Sequence, residues 1–337
     1  MGDEMTEPRS LAQLNELRRE AYHKDQGDEA FLRRMNEALV AVGLECYREY
    51  PERHPLLFIF GLPRSGTTLL TQTIAHCLYV GYINNLVARF WLTPITGIRL
   101  SKILLGDRHY TDYESQYART AHLSDIHEFG YFWRHWLKKK TVADLVNATE
   151  KEDQIDWSGL KRVLLNMQHE FGTAMVFKNM FGAYHIEAFL EMLAKAVFVY
   201  VERDPLDTAI SILDARRAFY GDPSVWWSSY PPEYNRIEDW PAMQQVAGQV
   251  HYLRRFYDRQ ITGVDRERIV QVSYRDLCQN PSGVLQTIQQ ACVDYFDYRL
   301  ALRYQPPQEF GFSHYSERTR ERETLQEIFR DIDRKRL

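Results

Sequence analysis

Residues 56–61, Leu-Leu-Phe-Ile-Phe-Gly, are apolar without a polar alternation. A strand with one solvated face would alternate, so this run reads as a strand buried on both faces, which places it inside a parallel sheet covered by helices. It leads into Gly61-Leu-Pro-Arg-Ser-Gly66 and then the apolar-periodic stretch Thr67-Thr-Leu-Leu-Thr-Gln-Thr-Ile. Strand, glycine-bounded loop and helix in that order turn backbone N–H groups and the positive end of a helix toward one point, a ready site for an anion.

The rest of the chain repeats the alternation. Strands are expected at 174–178, 196–201 and 268–274, and helices at 157–171, 183–194, 205–219, 239–262 and 281–294. Such βαβ order predicts an α/β fold with a P-loop-type central parallel β-sheet flanked by helices and carrying helical insertions. One domain is expected over 1–337. It comprises a helical N-terminal extension at 1–50 read as two helices, a helical and aromatic insertion at 86–140, and a charged C-terminal tail at 312–337. The tail reads as an exposed helix or a solvated basic arm.

Composition narrows the function. A net charge of −4 argues against nucleic acid as a partner, so an anion site must be a local cluster of basic groups. Cys46, Cys77, Cys278 and Cys292 lie far apart, with no metal-ligand or disulfide spacing. The N-terminus has no apolar core and no run is long enough to span a bilayer, so a cytoplasmic protein without a transmembrane segment is expected. Oligomer formation is compatible with the sequence.

The loop reads G-x-x-x-x-G-T-T, with Arg64 inside it and Thr67 where a nucleotide kinase has lysine. A triphosphate site also needs a carboxylate for magnesium at a neighbouring strand end. The strand at 196–201 ends in Glu202-Arg203-Asp204-Pro205, and Arg203 adds positive charge where a metal would need the opposite. Asp204 can cap the following helix and Pro205 suits its first turn. Ser211 then lies roughly 10 Å along that helix at 1.5 Å per residue, within reach of an anion also held by Arg203.

These stretches resemble the sulfotransferase family that uses 3′-phosphoadenosine 5′-phosphosulfate (PAPS). GLPRSGTTLL (61–70) is similar to its 5′-phosphosulfate loop, in the bacterial, arginine-containing form; FVYVERDPLDTAISIL (198–213) is similar to its 3′-phosphate block; and ERIVQVSYRDLCQNP (267–281) is a weaker match. The resemblance implies PAPS as co-substrate, bound by Pro63, Arg64, Ser65, Gly66, Thr67, Thr68, Arg203, Ser211 and Tyr274, the tyrosine approaching adenine. It implies sulfuryl transfer, without a metal, to a hydroxyl or amine of a small-molecule, carbohydrate or lipid acceptor. Arg64 is assigned to the charge of the leaving oxygen, helped by the N–H groups of Ser65 to Thr68. Lys178 matches the lysine of the strand before the 3′-phosphate block.

The family's two base positions are empty here: Met180 stands at the histidine's place, and Asn84 and Asn85 lie where an acid would be. His127 and Glu128, inside an aromatic segment, are the remaining candidates, and adjacency implies that only one faces the substrate. Two rival readings are a non-catalytic adenine-nucleotide-binding protein and a P-loop kinase.

Overall fold

A computed structural model describes residues 13–106, 111–117, 119–264 and 266–334. Five strands, β1 (Leu56–Gly61), β2 (Gly81–Tyr82), β3 (Met175–Lys178), β4 (Ala196–Glu202) and β5 (Ile269–Ser273), form one sheet in the order β2-β3-β1-β4-β5. Every pairing is parallel, with Phe58 opposite Phe177 on one side and Phe198 on the other. The helices are α1 (Gln26–Cys46), α2 (Thr67–Cys77), α3 (Pro94–Leu105), α4 (Gly130–Trp136), α5 (Ala143–Val146), α6 (Trp157–Phe171), α7 (Ile186–Met192), α8 (Pro205–Tyr220), α9 (Tyr234–Ile237), α10 (Ala242–Thr262), α11 (Tyr274–Gln279), α12 (Pro281–Phe296) and α13 (Thr319–Asp333).

The unbroken apolar run of β1 is buried along its whole length, and its two faces feed two cores. Phe58 and Phe60 point into an aromatic layer with Phe177, Phe198, Tyr200 and Trp133, while Leu57 and Ile59 meet an aliphatic layer of Val197, Val199, Leu70 and Ile74. Rings stack directly across the sheet: Phe58 lies 5.1 Å from Phe198 and Phe60 lies 5.0 Å from Tyr200, centroid to centroid. Such pairs add dispersion and quadrupole attraction to area burial.

The strands at 174–178, 196–201 and 268–274 are found within a residue or two of the expected bounds. Two-residue β2 escapes pattern reading because it is too short to show a period. The N-terminal region differs: α1 is present, but residues 13–15 and 20–22 form only single 3₁₀ turns, and Leu17, expected on an apolar helix face, is 44% exposed. Residues 1–12, where that expected helix would begin, lie outside the described residues.

The C-terminal region is a docked element, not a solvated arm. Helix α13 packs on α8 and α10 through Leu325 and Ile332, both buried. Asp207 of α8, fully buried, fixes the segment before it: its carboxylate accepts from His314 Nδ1 (2.7 Å), Tyr315 N–H (3.2 Å) and Arg322 Nη1. Burial alone would raise the Asp207 pKa, but these donors outweigh it and hold the carboxyl below its usual range. This carboxylate therefore stabilises the fold fully above its unfolded value of about 3.9, and the contribution is lost as pH falls through the lower folded value. Asp207→Ala should cost about 3 kcal/mol, read as a lower urea midpoint at neutral pH, and the variant should lose less stability than the parent on acidification below that range.

Candidate functional site

All four long strands deliver their functional residue at the C-terminal edge, where the strand order reverses beside β1; ligands of open α/β sheets bind at such switch points. From β1 the chain enters residues 62–66 and then α2. Arg64 (φ 69°) and Gly66 (φ 98°) are both left-handed, which curls the loop so that its N–H groups converge. Gly66 is required on a second count, since a Cβ there would collide with the Tyr274 ring. The Ser65 N–H, expected among the anion donors, instead closes the turn onto the Leu62 carbonyl at 3.1 Å. The donors left are those at the start of α2, Gly66 to Leu69, which have no intrahelical acceptor.

The start of α8 forms as the sequence implies. Asp204 caps α8, its carboxylate accepting from Asp207 N–H at 2.9 Å, and Pro205 occupies the first turn. Arg203 makes none of the simple pairing with Asp207 that a purely structural arginine would make. Its Nη1 donates to the Arg64 carbonyl oxygen (2.8 Å), its Nη2 to the Ser313 carbonyl (2.6 Å), and its guanidinium lies 4.5 Å from the Tyr274 ring centroid. Arg64 Nε in turn donates to Ser211 Oγ at 3.0 Å. The loop after β1 and the Arg203–Ser211 segment, 139 to 147 residues apart in the chain, thus meet in one chain of contacts. Desolvation and nearby Arg203 push the Arg64 pKa down, although an arginine so perturbed stays charged at neutral pH. Ser65 Oγ and Arg203 Nε are buried and without a hydrogen-bond partner, so the site keeps polar capacity that an anionic ligand can use.

Lys178, the last residue of β3 and 3% exposed, donates to Thr68 Oγ1 at 2.7 Å and pairs with the half-exposed Glu128 carboxylate. A lysine therefore does stand at the helix start, supplied by a neighbouring strand instead of by the loop. His127 and Glu128 both line the cleft. The segment before α4 is irregular, with Phe129 left-handed at φ 56°, so the alternation rule of regular elements does not hold there. Phe129, Phe132 and Trp133 are core, buried against Phe58 and Phe177. The asparagines at the alternative base position are structural: Asn84 Oδ1 accepts from Val87 N–H (2.8 Å) and Asn85 Nδ2 donates to Thr120 Oγ1 (2.8 Å).

His127 carries its own constraint. Its Nδ1 accepts from the Phe129 N–H at 2.8 Å, so in the neutral ring the proton resides on Nε2. The side chain opens onto the cleft but is crowded by protein; desolvation lowers its pKa to about 4, with Lys24, Lys178 and Arg89 adding to the effect and Glu128 opposing it. The whole cleft measures 1070 Å³ and reaches from Arg203 and Tyr274 past Lys178 to Trp227. Residues that sequence reasoning did not single out also line it, notably Tyr117, whose ring centroid lies 5.2 Å from the Arg64 guanidinium, and Tyr315. Nothing local marks them, because they enter from loops distant in sequence.

A family model described as the sulfotransferase family matches residues 55–294. The chain belongs to the sulfotransferase family. The matched span covers the loop with Arg64, and also Arg203, Lys178 and the His127–Glu128 segment. This sulfotransferase is similar to solved structures of sulfotransferase STF9 from Mycobacterium avium, at 14% identity over 90% of this chain and 80% of that one, with a TM-score of 0.49. It is also similar to sulfotransferase STF1 from Mycobacterium tuberculosis H37Rv, at 14% identity over 88% and 81%, with a TM-score of 0.48. No curated protein matches the chain. Among the described residues no helix is long and apolar enough to cross a membrane.

Two outcomes follow for this sulfotransferase. Gly66→Ala should destabilise it by about 1–3 kcal/mol, the cost of a strained left-handed residue before any ring displacement, seen as a lower Tm. Because the folded His127 pKa lies below its unfolded value of about 6.5, the unfolded chain binds the extra proton between the two, so His127 erodes stability as pH falls from about 6.5 to 4. A His127→Asn variant should show a flatter stability profile across that interval in denaturant titrations.

Proposed function

We propose that this sulfotransferase transfers a sulfuryl group from PAPS to a hydroxyl or amine of a small-molecule, carbohydrate or lipid acceptor. The observation that carries the reading is the continuous contact Arg203–Arg64–Ser211: two anion holders from two strand ends face one cleft. A donor charged at both ends needs such a pair, and guanidinium groups match its oxygens bidentately. Arg203 and Ser211 hold the 3′-phosphate, and the N–H groups at the start of α2 hold the 5′ end with Thr67 and Thr68. Pro63 and Ser65 shape the loop, and Tyr274 backs it beside the base.

Transfer demands a cation where charge collects on the departing oxygen and an acceptor for the proton of the nucleophile. Arg64 and Lys178 fill the first role. Lys178 stands at the first turn of α2 through Thr68, so its ammonium is already fixed when charge develops. Glu128 fills the second. As the acceptor oxygen or nitrogen forms its bond to sulfur, its proton passes to the Glu128 carboxylate, while the bridging S–O bond breaks and its electron pair leaves on the phosphate. His127 cannot take that proton through Nδ1, which the Phe129 N–H occupies, nor through Nε2, which already carries hydrogen.

The decisive experiment is binding of 3′-phosphoadenosine 5′-phosphate (PAP) by calorimetry together with single-turnover transfer. Arg203→Ala should weaken PAP at least about tenfold, the loss of one charge-assisted contact. Glu128→Gln should leave PAP affinity unchanged and slow transfer by about 10²- to 10⁴-fold, whereas His127→Asn should stay within a few-fold of the parent. A Glu128→Gln protein of undiminished rate would remove Glu128 from the role of base.

A further inference from the structure

The cleft holds more positive charge than the donor uses. Eight arginines and lysines line it against three aspartates and glutamates, an excess of five in a chain whose net charge is −4. Arg64, Lys178 and Arg203 belong to the donor side. The three carboxylates are already engaged: Glu128 with Lys178, Glu29 with Lys24 (3.3 Å), and Asp112 with His122 (3.4 Å). Among the described residues Arg18, Arg89, Arg119 and Arg134 are left without a carboxylate ion pair. The hydrogen bonds of three of them go to neutral oxygens: Arg18 to Asn15 Oδ1 (3.4 Å) and to the Tyr220 hydroxyl, Arg119 Nη2 to the Tyr22 carbonyl (3.1 Å) and Arg134 Nε to the Lys139 carbonyl (3.2 Å). Arg18 Nε is buried with no partner.

Two of these cations lie against the same ring and feel each other's charge. The Arg18 guanidinium lies 5.8 Å from the Phe219 ring centroid and that of Arg119 lies 5.5 Å from it, so the two are separated by at most the sum of those distances. Phe219 is eight residues beyond Ser211 on α8, roughly 12 Å at 1.5 Å per residue. Tyr117 forms a wall between: its ring sits beside Arg64 on one side and 5.5 Å from Phe219 on the other. The cluster therefore lies past the loop, at the end of the cleft away from the 3′-phosphate holders. Burial lowers the Arg119 pKa, and Arg18 lowers it further. Like charges held together in a half-desolvated site cost free energy that a bound anion recovers.

On the reading that this cleft transfers sulfuryl groups, we propose that the acceptor itself bears an oxyanion (carboxylate, sulfate or phosphate) and that Arg18 and Arg119 bind it, presenting the acceptor's hydroxyl or amine toward Glu128. Phe219 and Tyr117, which line the cleft, supply the apolar surface against which the body of the acceptor lies. A neutral acceptor of the same shape would leave both guanidiniums facing its apolar body.

The test starts from PAP-loaded protein titrated calorimetrically with matched probes: 4-hydroxyphenylacetate against its uncharged amide, and glucuronate against glucose. At least one acid should bind tenfold or more tightly than its neutral partner. Arg119→Ala should abolish that preference while leaving PAP affinity unchanged, and Arg18→Gln should do the same, guarding against a local effect of losing the Arg119 bond to Tyr22. Equal binding within both pairs, or binding of no acid, overturns the proposal, as does a loss of PAP affinity in both variants, which would assign the guanidiniums to the donor. A parent protein that fails to take up PAP instead refutes the donor assignment of the preceding section, and the acid–neutral comparison on the unloaded protein then decides the charge preference by itself.

Discussion

The hydrogen bond from Arg203 to the carbonyl oxygen of Arg64 is the contact on which the site's geometry depends. It joins the turn after β4 to the turn after β1, and so sets how far apart Arg64 and Arg203 stand. The same guanidinium lies on Tyr274, which backs Gly66, so three strand ends are brought to one point by a single side chain. The sheet makes this possible: β1, β4 and β5 are adjacent and parallel, with their carboxyl ends on one edge. Stacked rings on one face and branched aliphatics on the other keep that edge rigid.

What the sequence made legible was whatever is written locally. The run 56–61 showed double-sided burial, glycines at 61 and 66 showed the turn, and Asp204-Pro205 showed the start of α8 with Ser211 in place. These follow from periodicity, capping and φ restriction within a few residues. The docking of the last helix was not legible, because Asp207 meets its partners more than 100 residues away and a charged stretch looks the same whether solvated or paired to a buried carboxylate. That both residues at 127–128 border the cleft was not legible for a related reason. An alternation rule was applied to a segment that the left-handed Phe129 removes from any regular element.

The cleft divides by charge chemistry. At the strand ends each cation is tied to the scaffold: Arg203 to two carbonyls, Arg64 to a hydroxyl, Lys178 to Thr68 and Glu128. Preorganisation of this kind lowers the cost of stabilising charge that appears only during reaction. On the far side the guanidiniums rest on aromatic faces with fewer fixed partners, an arrangement suited to groups that vary in shape.

Helix α8 is held from both directions. Its inner turn presents Ser211 to the cleft, and its buried Asp207 is gripped by His314, Tyr315 and Arg322, while Ser313 completes the coordination of Arg203. Strand β1 and its loop are therefore made by the ribosome some 250 residues before the groups that finish the pocket around them. A nascent chain halted short of residue 313 would carry sheet and loop yet lack all four of these groups, so the cleft is completed late in translation.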